Sequence, residues 1–182
     1  PQFLSATQDI ISGDYDNDGL IDIFTAGLEM SDNDDNEDDT TSAKYTSLLY
    51  NNISDDSTQL NNNWVKFRLE GGKYEIDNDG WSNLSNKSAI GARIILHTSS
   101  GNQMREIIAS KGHGSMNPLT QHFGLGSEFY FDGFTIYWPS KDNETNQPKS
   151  IYYEGPFVGN KIYIIVEHLG FVGIKGDTNQ DN

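Results

Sequence analysis

Short apolar bursts alternate with polar positions over most of the chain from residue 64 to residue 168. The segments WVKFRLEG (64–71), ARIILHTS (92–99), NQMREIIASK (102–111), GFTIYWP (133–139), KSIYYE (149–154) and KIYIIVEH (161–168) carry this pattern. Several of them change character every second residue, as half-buried antiparallel strands do. No segment holds a sustained helical stripe. Ser100-Gly101 lies between two of the runs and predicts a hairpin turn. So many strands in so short a stretch predict an all-β fold, an antiparallel β-sandwich or jelly roll.

The first part of the chain has a different texture. A brief apolar stretch at Asp9–Ser12 runs into the acidic segment DYDNDGLID (14–22) and then into Ile23–Gly27. The run SDNDDNEDD (31–39) has no glycine to organise it and reads as a solvated loop. A further strand is predicted in YTSLLYNN (45–52), before a polar linker at 53–63. The chain therefore divides into an N-terminal β-hairpin unit at 1–62, a sandwich at 63–168, and a glycine-punctuated linker and acidic tail at 169–182.

Charge narrows the choice of partner. Twelve Lys and Arg face 27 Asp and Glu, a formal net charge of −15. Such a surface repels phosphate backbones and anionic lipid headgroups, so nucleic acid and membrane insertion are not expected. Cations are the natural counterpart, calcium above all. There is no cysteine, which removes thiol catalysis, thiolate zinc sites and disulfides. The sequence opens on Pro1 without a signal peptide or a membrane-length apolar run. It reads as a mature chain or a fragment of something longer.

The sharpest local signal is the loop at 14–22. Asp14, Asp16 and Asp18 occupy positions 1, 3 and 5, and Gly19 at position 6 permits a tight turn. Leu20 offers its backbone carbonyl at position 7, and Asp22 stands at position 9. Calcium takes six to eight hard oxygen ligands, and this spacing converges oxygens on one point. Position 12 is Thr25 and the flanks read as strands, so the loop is not an EF-hand. Asp77 and Asp79 before Gly80 read as a plain turn. Asp177, Asn179 and Asp181 repeat the 1-3-5 spacing and mark a second candidate metal site, with Asn182 where glycine would be expected.

Catalytic signatures are not expected to emerge from the remainder. His97, His113, His122 and His168 form no HExxH pair. GHGSMNP lacks the second glycine of a nucleophile elbow, because Asn117 stands there. His122 opens HFGLG, which reads as a structural turn. Trp64 and Trp138 fall in strands and are assigned to the core. Trp81, in the polar segment DGWSN, is the candidate for an exposed ligand contact.

These motifs resemble known families. DYDNDGLIDIF followed by SLLYNN resembles one FG-GAP/VCBS repeat, a unit of calcium-binding β-propellers. The resemblance implies calcium as cofactor, held by Asp14, Asp16, Asp18, the Leu20 carbonyl and Asp22. WVKFRLEG, NKSAIGARIIL (86–96), HFGLG (122–126) and FTIYWPS (134–140) resemble an ASPIC/UnbV domain, which occurs in exported proteins. That resemblance carries over no catalytic residue. The tail GDTNQDN (176–182) resembles the start of a dockerin-type calcium repeat. Propellers close with about four to eight blades. The first unit holds about one, so it either joins further blades or packs on the sandwich. Together these features predict a non-catalytic secreted or cell-surface calcium-binding module for adhesion, matrix or surface assembly. Its expected partners are other extracellular proteins, glycans or copies of itself. A carbohydrate-binding module and a filament subunit are the alternatives.

Overall fold

The computed structural model describes residues 7–16, 18–28, 44–49, 62–72, 84–112, 115–142 and 145–176. Their strands are β1 (Thr7–Gly13), β2 (Asp22–Leu28), β3 (Lys44–Leu49), β4 (Asn63–Glu70), β5 (Arg93–Thr98), β6 (Gly101–Glu106), β7 (Gln121–Gly126), β8 (Tyr130–Lys141), β9 (Pro148–Val158), β10 (Lys161–Val166) and β11 (Gly170–Gly176). No helix occurs among the described residues, so the chain is all-β there.

The strands form three sheets, ordered β1-β2-β3, β11-β10-β4-β7 and β6-β5-β8-β9. The first is an antiparallel meander. The two four-stranded sheets sandwich one apolar core. Val65, Phe67, Leu69, Phe123, Tyr163 and Ile165 come from one sheet, and Ile94, Leu96, Phe131, Phe134, Ile136 and Trp138 from the other. Phe67 lies at the centre, 4.7 Å from Phe134 and 5.6 Å from Phe123, ring centroid to centroid. The strand pairs are antiparallel except β4 with β10, which run parallel. The chain between them passes through the opposite sheet.

One buried carboxylate ties the two sheets together at one end of their strands. Glu167, just after β10, accepts hydrogen bonds from the Ser85 and Gly72 amides at 2.6 and 3.3 Å. It also accepts from the Ser140 hydroxyl on β8, and Lys149 Nζ on β9 stands 3.9 Å away. A carboxylate with only 2% of the residue exposed needs such partners, because desolvating it alone would be costly.

Three expectations are corrected. The β5–β6 hairpin forms, but Thr98 pairs with Gly101, so the turn residues are Ser99 and Ser100, not Ser100-Gly101. Gly101, at φ +130°, opens β6 instead. HFGLG is not a turn. It lies in β7 and pairs with β4, with Phe123 and Leu125 entering the core. The segment read as a linker after residue 169 contains β11, an edge strand on β10 with Phe171 5.7 Å from the Tyr163 ring. Its three glycines gave it the look of a linker, while the intervening apolar residues pair as a strand. Trp64 and Trp138 are buried, at 4% and 1% exposed. The acidic run 31–39, Asp77, Asp79, Trp81, Asp177, Asn179 and Asp181 lie outside the described residues.

Candidate metal centre

β4 is the strand that positions the site. Its inward side chains, Val65, Phe67 and Leu69, fill the core, yet Trp64 and Lys66 between them are also buried. Consecutive strand residues face opposite sides of a sheet. Something must therefore cover the outer face of β4, and that cover is the acidic loop leaving β1.

Within the loop, short Asp side chains hold the backbone in tight turns, as Asx residues do. Asp14 Oδ2 accepts from the Gly19 amide at 2.9 Å. Asp16 Oδ1 accepts from the Asp18 amide at 3.2 Å, and Asp18 Oδ1 from the Leu20 amide at 2.7 Å. Asp22 Oδ2 accepts from the Tyr15 amide at 2.8 Å and closes the loop. One carboxylate oxygen each from Asp14, Asp16 and Asp18 falls within 4.8 Å of the other two. Asp22 is not among the residues of that group.

Two features fit this cluster to a hard cation. The Asp14 side chain is only 1% exposed, and its Oδ1 is buried without a hydrogen-bond partner. A buried carboxylate oxygen left in that state is costly unless something meets it. Asp18 has its pKa raised, first by desolvation. The Leu20 amide opposes this, while Asp16, Asp14 and Asp22 add to the rise. A carboxyl raised in the folded state favours its protonated form. Its ionisation at neutral pH therefore works against the fold unless a cation offsets the repulsion.

The loop docks on the sandwich through contacts that its spacing did not announce. Lys66 Nζ lies 2.7 Å from Asp14 Oδ2 and 4.9 Å from the centroid of the Trp64 ring. His122 Nε2 lies 3.0 Å from the Gly19 carbonyl, and because a carbonyl only accepts, that nitrogen carries the proton. The His122 ring stacks on Trp64 at 6.1 Å. Gly19 has φ +92°, and a Cβ there would fall 2.0 Å from Trp64 Cδ1, so both conformation and space call for glycine. The readable hint was Trp64 and Lys66 on one face of WVKFRLEG, opposite an apolar face that already accounts for the core.

Burial, then the Lys66 charge, lowers the His122 pKa, against the opposing pull of Asp14 and Gly19. The unfolded chain then binds the extra proton first as pH falls. Stability should drop below the ordinary histidine value of about 6.5, through a window ending at the lower folded value. Thermal unfolding in chelator between neutral and mildly acidic pH checks this. The fall should be shallower in His122→Gln; parallel curves would contradict it.

Residues 82–151 match the model of the family described as ASPIC and UnbV. The match spans β5 to β8 and enters β9, which covers most of the second sandwich sheet. It does not reach the acidic loop at residues 14–22. No curated protein matches the chain.

Proposed function

We propose that the chain is a non-catalytic calcium-binding module of an exported protein, acting at the cell surface or in the extracellular matrix. Asp14, Asp16 and Asp18 hold the ion through side-chain oxygens, the Leu20 carbonyl adds a further oxygen, and water fills the remaining positions. Asp22 supports the loop through the Tyr15 amide and adds negative charge to the field. The carrying observation is the buried, unpartnered Asp14 Oδ1 beside two further carboxylates. The resemblance of residues 14–24 to an FG-GAP/VCBS repeat supports the same ion. The net charge of −15 argues for cation-bridged or protein partners over nucleic acid and anionic lipid surfaces. Adhesion or assembly with other extracellular proteins, glycans or copies of the chain is the role this combination favours.

Calorimetric titration with calcium chloride tests the site. Saturable binding is expected, with magnesium weaker because it gives up its waters reluctantly. Asp16→Ala removes one ligand from an exposed position and should weaken calcium by about tenfold or more, since charged contacts contribute about 1.5–3 kcal/mol. An absence of saturable calcium binding at millimolar concentration would end this reading.

A further inference from the structure

Beside the metal loop, the chain's charge balance reverses. A cleft of about 680 Å³ opens between the end of β1, the outer face of β4 and residues from 104–111 and 117–122. Of its lining residues, Lys66, Arg105 and Lys111 are basic and only Asp14 and Glu106 are acidic. The whole chain has 12 basic against 27 acidic residues. Lys66 and Asp14 pair with each other, which leaves Arg105 and Lys111 against Glu106. Among the described residues, neither Arg105 nor Lys111 forms an ion pair. Among the described residues, Arg105 and Lys111 thus face this cleft with Glu106 as the one acidic lining residue besides the paired Asp14.

Arg105 is also held in place. Its guanidinium carbon lies 5.1 Å from the Phe123 ring centroid, and Nη1 donates to the Met104 carbonyl at 2.8 Å. A guanidinium anchored on one side keeps other N–H groups to offer, in a fork that matches a carboxylate. The rest of the lining includes amides at Asn117 and Gln121 and hydroxyls at Ser12 and Thr120, with apolar surface at Ile21 and Pro118. Ligand clefts of this kind measure about 300–1,000 Å³, so one or two sugar rings fit.

We infer that this cleft binds a carboxylate-bearing saccharide of the uronate class. The ring's C–H faces lie on the apolar surface, its hydroxyls meet the amides, and its carboxylate meets Arg105 and Lys111. The inference rests on the reading of the chain as a non-catalytic binding module and names a ligand class for it. The cations lie outside the metal loop, so the two claims fail separately.

The test is calorimetric titration of the whole chain with digalacturonate, in calcium and in chelator, beside a neutral disaccharide and inorganic phosphate. Digalacturonate should bind in both buffers. Arg105→Gln and Lys111→Gln should each weaken it about tenfold, with unchanged melting temperature and unchanged calcium binding. Both side chains are exposed, so folding should tolerate either change. Absence of digalacturonate binding overturns the inference, as does equal affinity for the neutral disaccharide or for phosphate. Binding that both variants leave untouched places the ligand elsewhere and overturns it too. If calcium binding is lost while digalacturonate binding persists, the metal reading fails and the cleft stands.

Discussion

Lys66→Met is expected to lower the stability of the chain in chelator by about 3–5 kcal/mol, the usual cost of removing one partner from a buried ion pair. Met has similar reach and keeps the packing under Trp64, so the loss is mainly one of charge. The Asp14 carboxylate, 1% exposed, would keep the Gly19 amide but lose the ammonium 2.7 Å away. On the proposed reading, calcium adds a cation to the same carboxylate. In saturating calcium much of the lost stability should return, so the gain from calcium should be larger in the variant than in the native chain. The affinity for calcium should rise as well, because a positive charge beside the ligand is gone. Denaturant unfolding of both proteins, with calcium and with chelator, measures all four stabilities. An equal calcium gain in the two would mean that Lys66 and the metal do not share Asp14.

Phe67→Ala, one residue along the same strand, should cost a similar amount and behave in the opposite way toward calcium. Phe67 is fully buried and touches the rings of Phe123, Phe131, Phe134 and Tyr163. Truncating a core phenylalanine removes its transfer free energy and leaves a cavity, together about 3–5 kcal/mol. Its side chain points away from the metal loop. The stability lost should therefore be the same in calcium and in chelator. The same denaturant series checks it. A calcium gain that changes in Phe67→Ala would show that the loop and the core are coupled through the strand backbone, not through Lys66.

The contrast between these neighbours shows what the sequence could and could not disclose. Period-two alternation made β4, β5, β8 and β10 readable, because one face of each meets a continuous apolar core. β7 was hidden: QHFGLG offers only two inward apolar residues, with Gly124 and Gly126 between and after them. β11 was hidden by the same glycine punctuation, although Phe171 and Ile174 pair with Ile165 and Tyr163 of β10. The parallel pairing of β4 with β10 joins residues about a hundred positions apart, and no local pattern encodes it. The acidic cluster was legible because it is local: three carboxylates and a glycine lie within six residues. Its docking was not. His122 and Gly19 are 103 positions apart, and Lys66 meets Asp14 across the boundary drawn between two units. Trp64 was assigned to the core because it falls in a strand; it is buried, but on the face of β4 that meets the acidic loop, opposite Val65 and Phe67.

The central claim is that the acidic loop holds calcium and that this binding is coupled to the fold. Thermal unfolding of the native chain and of Asp16→Ala, each with calcium and with chelator, tests it most directly. At a hundredfold excess over its dissociation constant, an ion that binds only the folded state adds about 2.7 kcal/mol. For a chain of this size that raises the melting temperature by roughly 5–10 °C. The native protein should show this shift between chelator and calcium, and Asp16→Ala should show little of it. If the native curves in calcium and in chelator coincide, the loop either holds no ion or is uncoupled from folding, and the account is contradicted.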